Sequence, residues 1–179
     1  MHDSQEILDF WFSPAIGKHW FSSTPALDAE IKLRFENVWR RAAAGELDAW
    51  TQTPDGALAL LIVLDQFPLN MYRGEPAAFA SEQKAVAVSR MSVEQGFHNG
   101  MPDDRRLFIF MPLMHSENPD DQNLSVELFR TAGMDPRWPE HHRGIIQRFG
   151  RFPHRNAILG RESRQEELNY LASDEAFKG

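Results

Sequence analysis

The sequence TPDGALALLIVLDQ (residues 53–66) decides the fold that the rest of the chain must form. It opens with Thr53-Pro54, a pair typical of a helix start, because threonine can cap the first turn and proline needs no backbone donor there. Every residue from Ala57 to Leu64 is apolar. Since a helix without a polar face is usually buried on all sides, we predict a central helix over Gly56–Gln66.

Similar start and stop signals recur along the chain. Thr24-Pro25 and Asn118-Pro119 repeat the pairing of a capping residue with proline, and Gly133 is the expected stop of the helix that begins at Asn118-Pro119. No segment shows the strict alternation of a half-buried strand. We therefore predict an all-α fold of about eight helices in stacked antiparallel pairs, forming a single domain over residues 1–179.

Several helix boundaries rest on single residues. Proline inside a helix removes a hydrogen bond, so we expect the central helix to end at Phe67-Pro68 and the helix of residues 104–111 to bend or end at Pro112. One helix is expected from Pro76 to about residue 95. Ser4 should cap the first helix, and Ser163, with Glu166 three residues later, has the spacing of a capping box for the last.

The composition excludes several classes of protein. The chain has no cysteine, which excludes disulfides, thiolate metal sites and cysteine nucleophiles. The polar N-terminus does not resemble a secretory signal, and no apolar run is long enough to span a membrane, so we predict a cytoplasmic protein without a membrane partner. The net charge of −7 argues against nucleic acid as a partner.

The stretch RFGRFPHRN (residues 148–156) concentrates the chemistry of the chain. Between His141 and Arg164 there are six arginines and one acid, Glu162, so this segment carries 6 − 1 = +5 while the whole chain carries −7. Arginine offers a planar fork that suits carboxylate and phosphate groups. The candidate ligand-binding residues of this stretch are Arg148, Arg151, His154, Arg155 and Asn156.

Two further candidates fall on apolar helix faces. Asp65 follows Ile62 and Leu61 by three and four residues, so it lies on the face of a buried helix and needs a cation or several hydrogen-bond donors. Arg73 is the local candidate for that cation, and the arginines of residues 148–156 are distant ones. His142 precedes Ile145 and Ile146 by the same spacings and should face inward.

The corner at His115-Ser116-Glu117 supplies the remaining candidates, His115 and Glu117. A zinc deaminase uses a similar His-x-Glu pair, but it also needs a later pair of cysteines that this chain lacks. His115, Glu117, His142 and His154 are residue types that bind metals, yet no two of them share the close spacing typical of one helix. No nucleophile elbow, phosphate loop or dinucleotide motif is present. We therefore predict neither a metal nor a cofactor.

Three long strings resemble a known bacterial family, the domain of unknown function 924. They are LLIVLDQFPLNMYRG (60–74), MPLMHSENPDDQ (111–122) and RFGRFPHRNAILGRES (148–163). The resemblance covers roughly residues 5–172. It implies an all-helical fold similar to tetratricopeptide proteins and groups the ten candidate residues as motif positions, but it implies no activity.

Three functions remain open on the sequence. The first is a pocket that binds a small anionic metabolite (a phosphate or a carboxylate) or an acidic peptide. The second is a hydrolase-type enzyme in which His142 or His154 acts as general acid or base. In the third, the motif residues form a structural network of buried ion pairs. The sequence does not indicate an oligomeric state.

Overall fold

A computed structural model describes residues 3–177, and all regular structure in that part of the chain is helical. The prediction of an all-α fold is thus confirmed. The α-helices are α1 (Ser4–Trp11), α2 (Pro14–Gly17), α3 (Pro25–Ala43), α4 (Pro54–Leu61), α5 (Phe67–Met71), α6 (Glu82–Glu94), α7 (Asp103–His115), α8 (Pro119–Thr131), α9 (Arg137–Phe149) and α10 (Gln165–Leu171). Three 3₁₀ segments (Asp48–Gln52, Pro76–Phe79 and Pro153–Arg155) and one π-helical turn (Ile62–Gln66) complete the regular structure.

The chain divides into two compact units. The first contains residues 3–73 and 77–112, and the second contains residues 74–76 and 113–177. The single domain and the likeness to tetratricopeptide proteins stay predictions. Within residues 3–177, no helix has both the length and the apolar character that a membrane span requires.

Local chemistry sets most of the helix starts. The hydroxyls of Thr24 and Thr53 accept the amides of Leu27 and Gly56 at 3.2 and 3.1 Å, as expected of N-caps. The first helix differs from the prediction, because Asp3 rather than Ser4 caps it by accepting the amide of Glu6.

The central helix of the first unit is buried throughout. All residues from Ala57 to Leu64 are at most 1% exposed, which confirms the prediction made from the absence of a polar face. Aromatic rings pack closely in the same unit: the ring centroids of Phe35 and Phe67 lie 4.9 Å apart, and those of Trp11 and Phe108 lie 5.6 Å apart. Aromatic packing of this kind adds stability beyond simple area burial.

The central helix does not end at Phe67-Pro68 as predicted. It passes through the π-helical turn of Ile62–Gln66 and continues as α5 to Met71. Pro68 has no amide hydrogen for the carbonyl of Leu64, and the buried hydroxyl of Ser81 donates to that carbonyl at 2.6 Å. Because a tertiary donor replaces the missing hydrogen bond, the helix can accommodate the proline.

Pro112 likewise fails to end its helix, since α7 continues to His115. Here the fully buried Ser89 donates to the carbonyl of Ile109 at 2.5 Å, one turn before the proline. The predicted single helix after Pro76 is also wrong. It is a 3₁₀ turn to Phe79 followed by α6.

The second unit is built on α8, α9 and α10. Its apolar core consists of Ile145, Ile146, Phe149, Phe152 and Tyr170, with Leu171, Ala176 and Phe177 packed against it. Helix α9 ends at Gly150, whose φ of 73° lies in the left-handed region that favours glycine. The chain then turns into the short 3₁₀ segment that carries His154 and Arg155.

Candidate functional site

Asp65 and Arg73 belong to the first unit. Asp65 lies in the π-helical turn and is 6% exposed, as its position on an apolar face predicts. It accepts the side-chain amide of Gln66 at 2.5 Å. Arg73 is not its cation, which corrects the prediction: helix α5 ends at Met71, so Arg73 lies beyond it and pairs with Asp28 at 3.0 Å.

In the second unit, a rigid corner between α7 and α8 holds His115 and Glu117. The buried amide of Gln122 donates to the carbonyls of Met114 and Ser116, both at 2.7 Å. The hydroxyl of Ser116 donates to Asp121 at 2.6 Å. These bonds satisfy carbonyls at the end of α7 and fix the backbone on both sides of Glu117.

Glu117 is tied to the segment that follows α9. Arg161 donates to its two carboxylate oxygens at 2.6 and 2.9 Å, and the amide of Phe152 donates to Oε1 at 2.7 Å. Burial alone would raise the pKa of Glu117, but the hydrogen bonds from Arg161 and Phe152 outweigh burial and hold the pKa below its ordinary value. Glu117 is therefore a charged structural anchor at neutral pH.

Glu167 is the second carboxylate of this network and is fully buried. Arg151 binds it with a two-pronged contact of 2.7 and 2.8 Å, and Arg164 donates to it through its backbone amide at 2.7 Å and its guanidinium at 3.1 Å. These donors, that of Arg151 foremost, lower the pKa of Glu167 far below its ordinary value. Asn156 links the two carboxylates, because it accepts Arg161 at 3.0 Å and donates to Glu167 at 3.3 Å.

The motif arginines therefore have different tasks. Arg151 and Asn156, both predicted to contact a ligand, are bonded within the network. Arg155 is buried, donates to the carbonyl of His115 at 2.8 Å and stacks over the ring of Phe152 at 4.6 Å. Arg148 stays on the exposed surface of α9, where its guanidinium lies over Phe149 and Tyr170.

His142 and His154 lie together against two phenylalanine rings. The ring centroids of Phe177 lie 4.5 Å from His142 and 5.1 Å from His154, and those of Phe152 lie 5.6 and 5.7 Å from the same histidines. His142 is buried, as its spacing predicts, while His154 is partly exposed. We call His142 and His154 the histidine pair.

Both members of the histidine pair are neutral at physiological pH. Burial lowers the pKa of His142 to about 3, and the neighbouring histidines, His115 among them, act in the same direction. Burial lowers the pKa of His154 to about 4; the guanidiniums of Arg155 and Arg161 add to this effect and Glu117 opposes it. Nδ1 of His142 lies 2.9 Å from the carbonyl oxygen of Trp138. Because a carbonyl oxygen can only accept a hydrogen bond, Nδ1 carries the proton of the neutral ring.

Sequence reasoning missed four residues of this region: Arg161, Arg164, Glu167 and Phe177. A signal existed for Glu167, because the +5 segment of residues 141–164 needed carboxylates and Glu167 follows it directly. Nothing in the sequence indicated that Phe177 would reach the histidine pair. Among residues 3–177, no three His, Asp or Glu side chains are grouped as metal ligands.

The family of the chain follows from a match over nearly its whole length. The family model for DUF924, a family of bacterial proteins of unknown function, matches residues 7–175 of the sequence. The chain belongs to the DUF924 family. This confirms the resemblance drawn from the three sequence strings, and the Glu117 and Glu167 network lies within the matched residues.

A solved structure has a fold similar to that of this chain. The protein of unknown function ATU0120 from Agrobacterium tumefaciens is 36% identical, with a TM-score of 0.89; the match covers 94% of this chain and 96% of that one. No curated protein matches the chain. The comparisons thus establish family and fold for this DUF924 member, while its activity has to be argued from the site.

Proposed function

We propose that the second unit binds a small anion, a carboxylate or a phosphate, beside His154. The observation that supports this proposal is the setting of His154. A partly exposed, neutral imidazole lies next to the buried guanidinium of Arg155 and within the field of Arg161. The opposing charge of Glu117 is engaged by hydrogen bonds from Arg161 and Phe152. An anion is the group that such a field stabilises.

The proposed site is smaller than the ten residues that the sequence suggested. Arg151 and Asn156 form part of the scaffold, because their polar groups are bonded to Glu167 and Arg161. His154, His115 and Arg155 remain as the groups that an anion would contact. Neutral imidazoles can donate an N–H to an anion without first taking up a proton.

Binding in this site has a chemical signature. An anion beside His154 opposes the effect of the guanidiniums, so the pKa of His154 should rise from about 4 toward its ordinary value. Between pH 5 and pH 6, binding should therefore be accompanied by the uptake of a fraction of a proton. Arginine side chains do not titrate in this range, so a proton taken up by the protein must come to an imidazole rather than to the arginines.

The test is isothermal titration calorimetry with inorganic phosphate and with succinate at pH 5.5, in two buffers that differ in ionisation enthalpy. We expect saturable heat in at least one titration, with an apparent enthalpy that depends on the buffer. His154→Gln should weaken binding at least tenfold and reduce the buffer dependence to the part that comes from protonation of phosphate or succinate itself. The matched control is His19→Gln, in the first unit. Absence of saturable heat with both anions, or unchanged binding by His154→Gln, contradicts the proposal.

A hydrolase-type reaction is the second candidate, and one contact favours it. The carbonyl of Trp138 fixes the tautomer of His142, which leaves Nε2 as the unprotonated nitrogen of a base. A pKa of about 3 excludes His142 as a general acid near pH 7 and makes it a weak base. The check is turnover of p-nitrophenyl acetate and p-nitrophenyl phosphate, which should be lost in His142→Gln; equal rates for the two proteins contradict this candidate.

A further inference from the structure

Nε2 of His142 is a buried hydrogen-bond acceptor that the chain leaves unused. His142 is 4% exposed, and the one proton of its neutral ring lies on Nδ1, which donates to the carbonyl of Trp138. Nε2 can then only accept a hydrogen bond, and no donor among residues 3–177 bonds to it. Because buried acceptors in folded proteins nearly always have a partner, this nitrogen indicates a donor that comes from outside the chain.

This nitrogen keeps its acceptor role at physiological pH. Burial lowers the pKa of His142 to about 3, so the ring does not take up a second proton on Nε2 near neutrality. The two nitrogens lie on different edges of the ring, and the carbonyl that accepts from Nδ1 belongs to the backbone of α9. Nε2 is therefore directed away from that backbone.

His154 lies close enough to share one small ligand with His142. The ring centroid of Phe177 lies 4.5 Å from that of His142 and 5.1 Å from that of His154, so the two imidazole centroids are at most 9.6 Å apart. The fully buried ring of Phe152 also contacts both imidazoles. Since His154 and Phe177 are partly exposed, a ligand from solvent can approach the buried ring of His142 beside them.

The charges around the histidine pair decide which kind of donor fits. The guanidiniums of Arg155 and Arg161 act on His154 in the direction that disfavours a positive charge. An ammonium group on a ligand would meet the same repulsion, whereas a hydroxyl group donates a hydrogen bond without adding charge. A hydroxyl group is therefore the donor that suits Nε2 of His142.

We infer that the anion bound beside His154 also carries a neutral hydroxyl group, which donates to Nε2 of His142. This inference rests on the proposed anion site. The ligand is then a small hydroxycarboxylate or the phosphate ester of a small diol. In a hydroxycarboxylate, two hydrogen bonds of about 2.8 Å and a gap of about 3 Å between hydroxyl and carboxylate oxygens together span about 8–9 Å. That length falls within the separation of the two imidazoles that their shared contact with Phe177 allows.

Two other partners of Nε2 differ from a hydroxyl group in ways that can be measured. A structural metal ion needs more than two protein ligands, and residues 3–177 contain no group of three His, Asp or Glu side chains that could hold one. A water molecule would also donate to Nε2. A hydroxyl group on the anion would then add little affinity, because it would only replace the hydrogen bond of that water.

The test compares ligands that differ by one hydroxyl group, in calorimetric titrations of the wild-type chain at pH 7. The pairs are succinate with each enantiomer of malate, and ethyl phosphate with 2-hydroxyethyl phosphate. In the pair that binds, we expect the hydroxylated member (for malate, at least one enantiomer) to bind about fivefold tighter or more. 2-Fluorosuccinate is close to malate in size but has no hydroxyl proton, so it should bind within about twofold of succinate.

His142→Phe keeps an aromatic ring in the core but removes the acceptor. This variant should still bind the ligand without the hydroxyl group and should lose the preference for the hydroxylated one, whereas the control His19→Phe should retain that preference. The inference is overturned if a His142→Phe protein with the wild-type circular dichroism spectrum keeps the preference. Equal affinities of the wild type within both pairs overturn it too, and leave the anion site intact. This ligand comparison needs no variant, so it decides the question even if His142→Phe does not fold. Binding of none of the ligands contradicts the anion site itself, and the inference with it.

Discussion

The histidine pair makes the stability of this protein depend on pH in a way that can be calculated. Both pKa values lie below the ordinary value of 6.5, at about 3 for His142 and about 4 for His154. A folded-state pKa below the unfolded one means that the unfolded chain takes up protons first as the pH falls. The stability that these histidines contribute is therefore complete above pH 6.5 and is lost as the pH falls toward 4.

The size of the effect follows from these values. At pH 5 an unfolded histidine is almost fully protonated, which favours the unfolded chain by about 2 kcal/mol, while the folded histidines remain mostly neutral. Between pH 7 and pH 5 each histidine should therefore lower the free energy of unfolding by about 2 kcal/mol, and the pair should lower it by about 4 kcal/mol. Glu117 and Glu167 have lowered pKa values, so their contributions are lost only at lower pH.

Urea unfolding followed by circular dichroism at half-unit steps from pH 7 to pH 5 measures this dependence. The double variant His142→Gln/His154→Gln should lose most of the slope, whatever its absolute stability, and His19→Gln should retain it. His98 is a second source of slope, because burial followed by the charge of Arg106 lowers its pKa. A fall of less than about 1 kcal/mol in the wild type, or an unchanged slope in the double variant, refutes the reasoning.

Three further perturbations probe the contacts that hold the fold. Glu167→Gln should lower the free energy of unfolding by about 3 kcal/mol, because it leaves Arg151 and Arg164 without their buried carboxylate. The control is the exposed Glu166→Gln, which should change the free energy of unfolding by less than about 0.5 kcal/mol. Equal effects of the two variants in urea unfolding would contradict the network. Ser81→Ala should cost about 1–3 kcal/mol by leaving the carbonyl of Leu64 unsatisfied. In a Pro68→Ala background the same change should cost less, since residue 68 then has its own amide, and an undiminished cost would count against this account. Phe177→Ala should raise the pKa of His142 above about 3 in histidine NMR titrations, because the phenyl ring, 4.5 Å from the imidazole, no longer excludes water. An unchanged titration of His142 would show that Phe177 does not shield the imidazole from water. The control is Phe21→Ala, a change of an exposed phenylalanine.

Helix starts were predictable from the sequence because local chemistry decides them. Thr24 and Thr53 cap their helices with hydroxyls three residues from the amides that they accept, and no distant residue takes part. Helix ends at proline were not predictable in the same way. Whether Pro68 ends a helix depends on Ser81, thirteen residues later in the sequence, which supplies the missing donor. The periodicity of α4 and α5 contains no information about that donor.

The site was predictable in part, for a similar reason. The inward orientation of His142 follows from its spacing to Ile145 and Ile146 and is confirmed. Glu167, the carboxylate that binds Arg151 and Arg164, was missed because the predicted start of α10 was wrong by one residue. We predicted Ser163 and Glu166 as the capping box of α10, whereas the backbone amide of Arg164 donates to Glu167. One residue of register rotates a helix position by about 100°, enough to exchange an exposed acid for a buried one.

The ion network and the proposed anion site can coexist, although on the sequence alone they stand as two separate possible functions. A cation attracts an anion strongly only when it is held in place, because a mobile guanidinium must first lose conformational freedom and water. Arg161 is fixed by Glu117, and Arg155 is fixed by the carbonyl of His115 and the ring of Phe152. The contacts that hold these two guanidiniums in place also fix their charges near His154. It follows that Glu117→Gln, which frees Arg161, should weaken phosphate binding even though it removes a negative charge from the site. Tighter binding by this variant in the same calorimetric titration would show that charge alone, rather than its fixed position, governs the site.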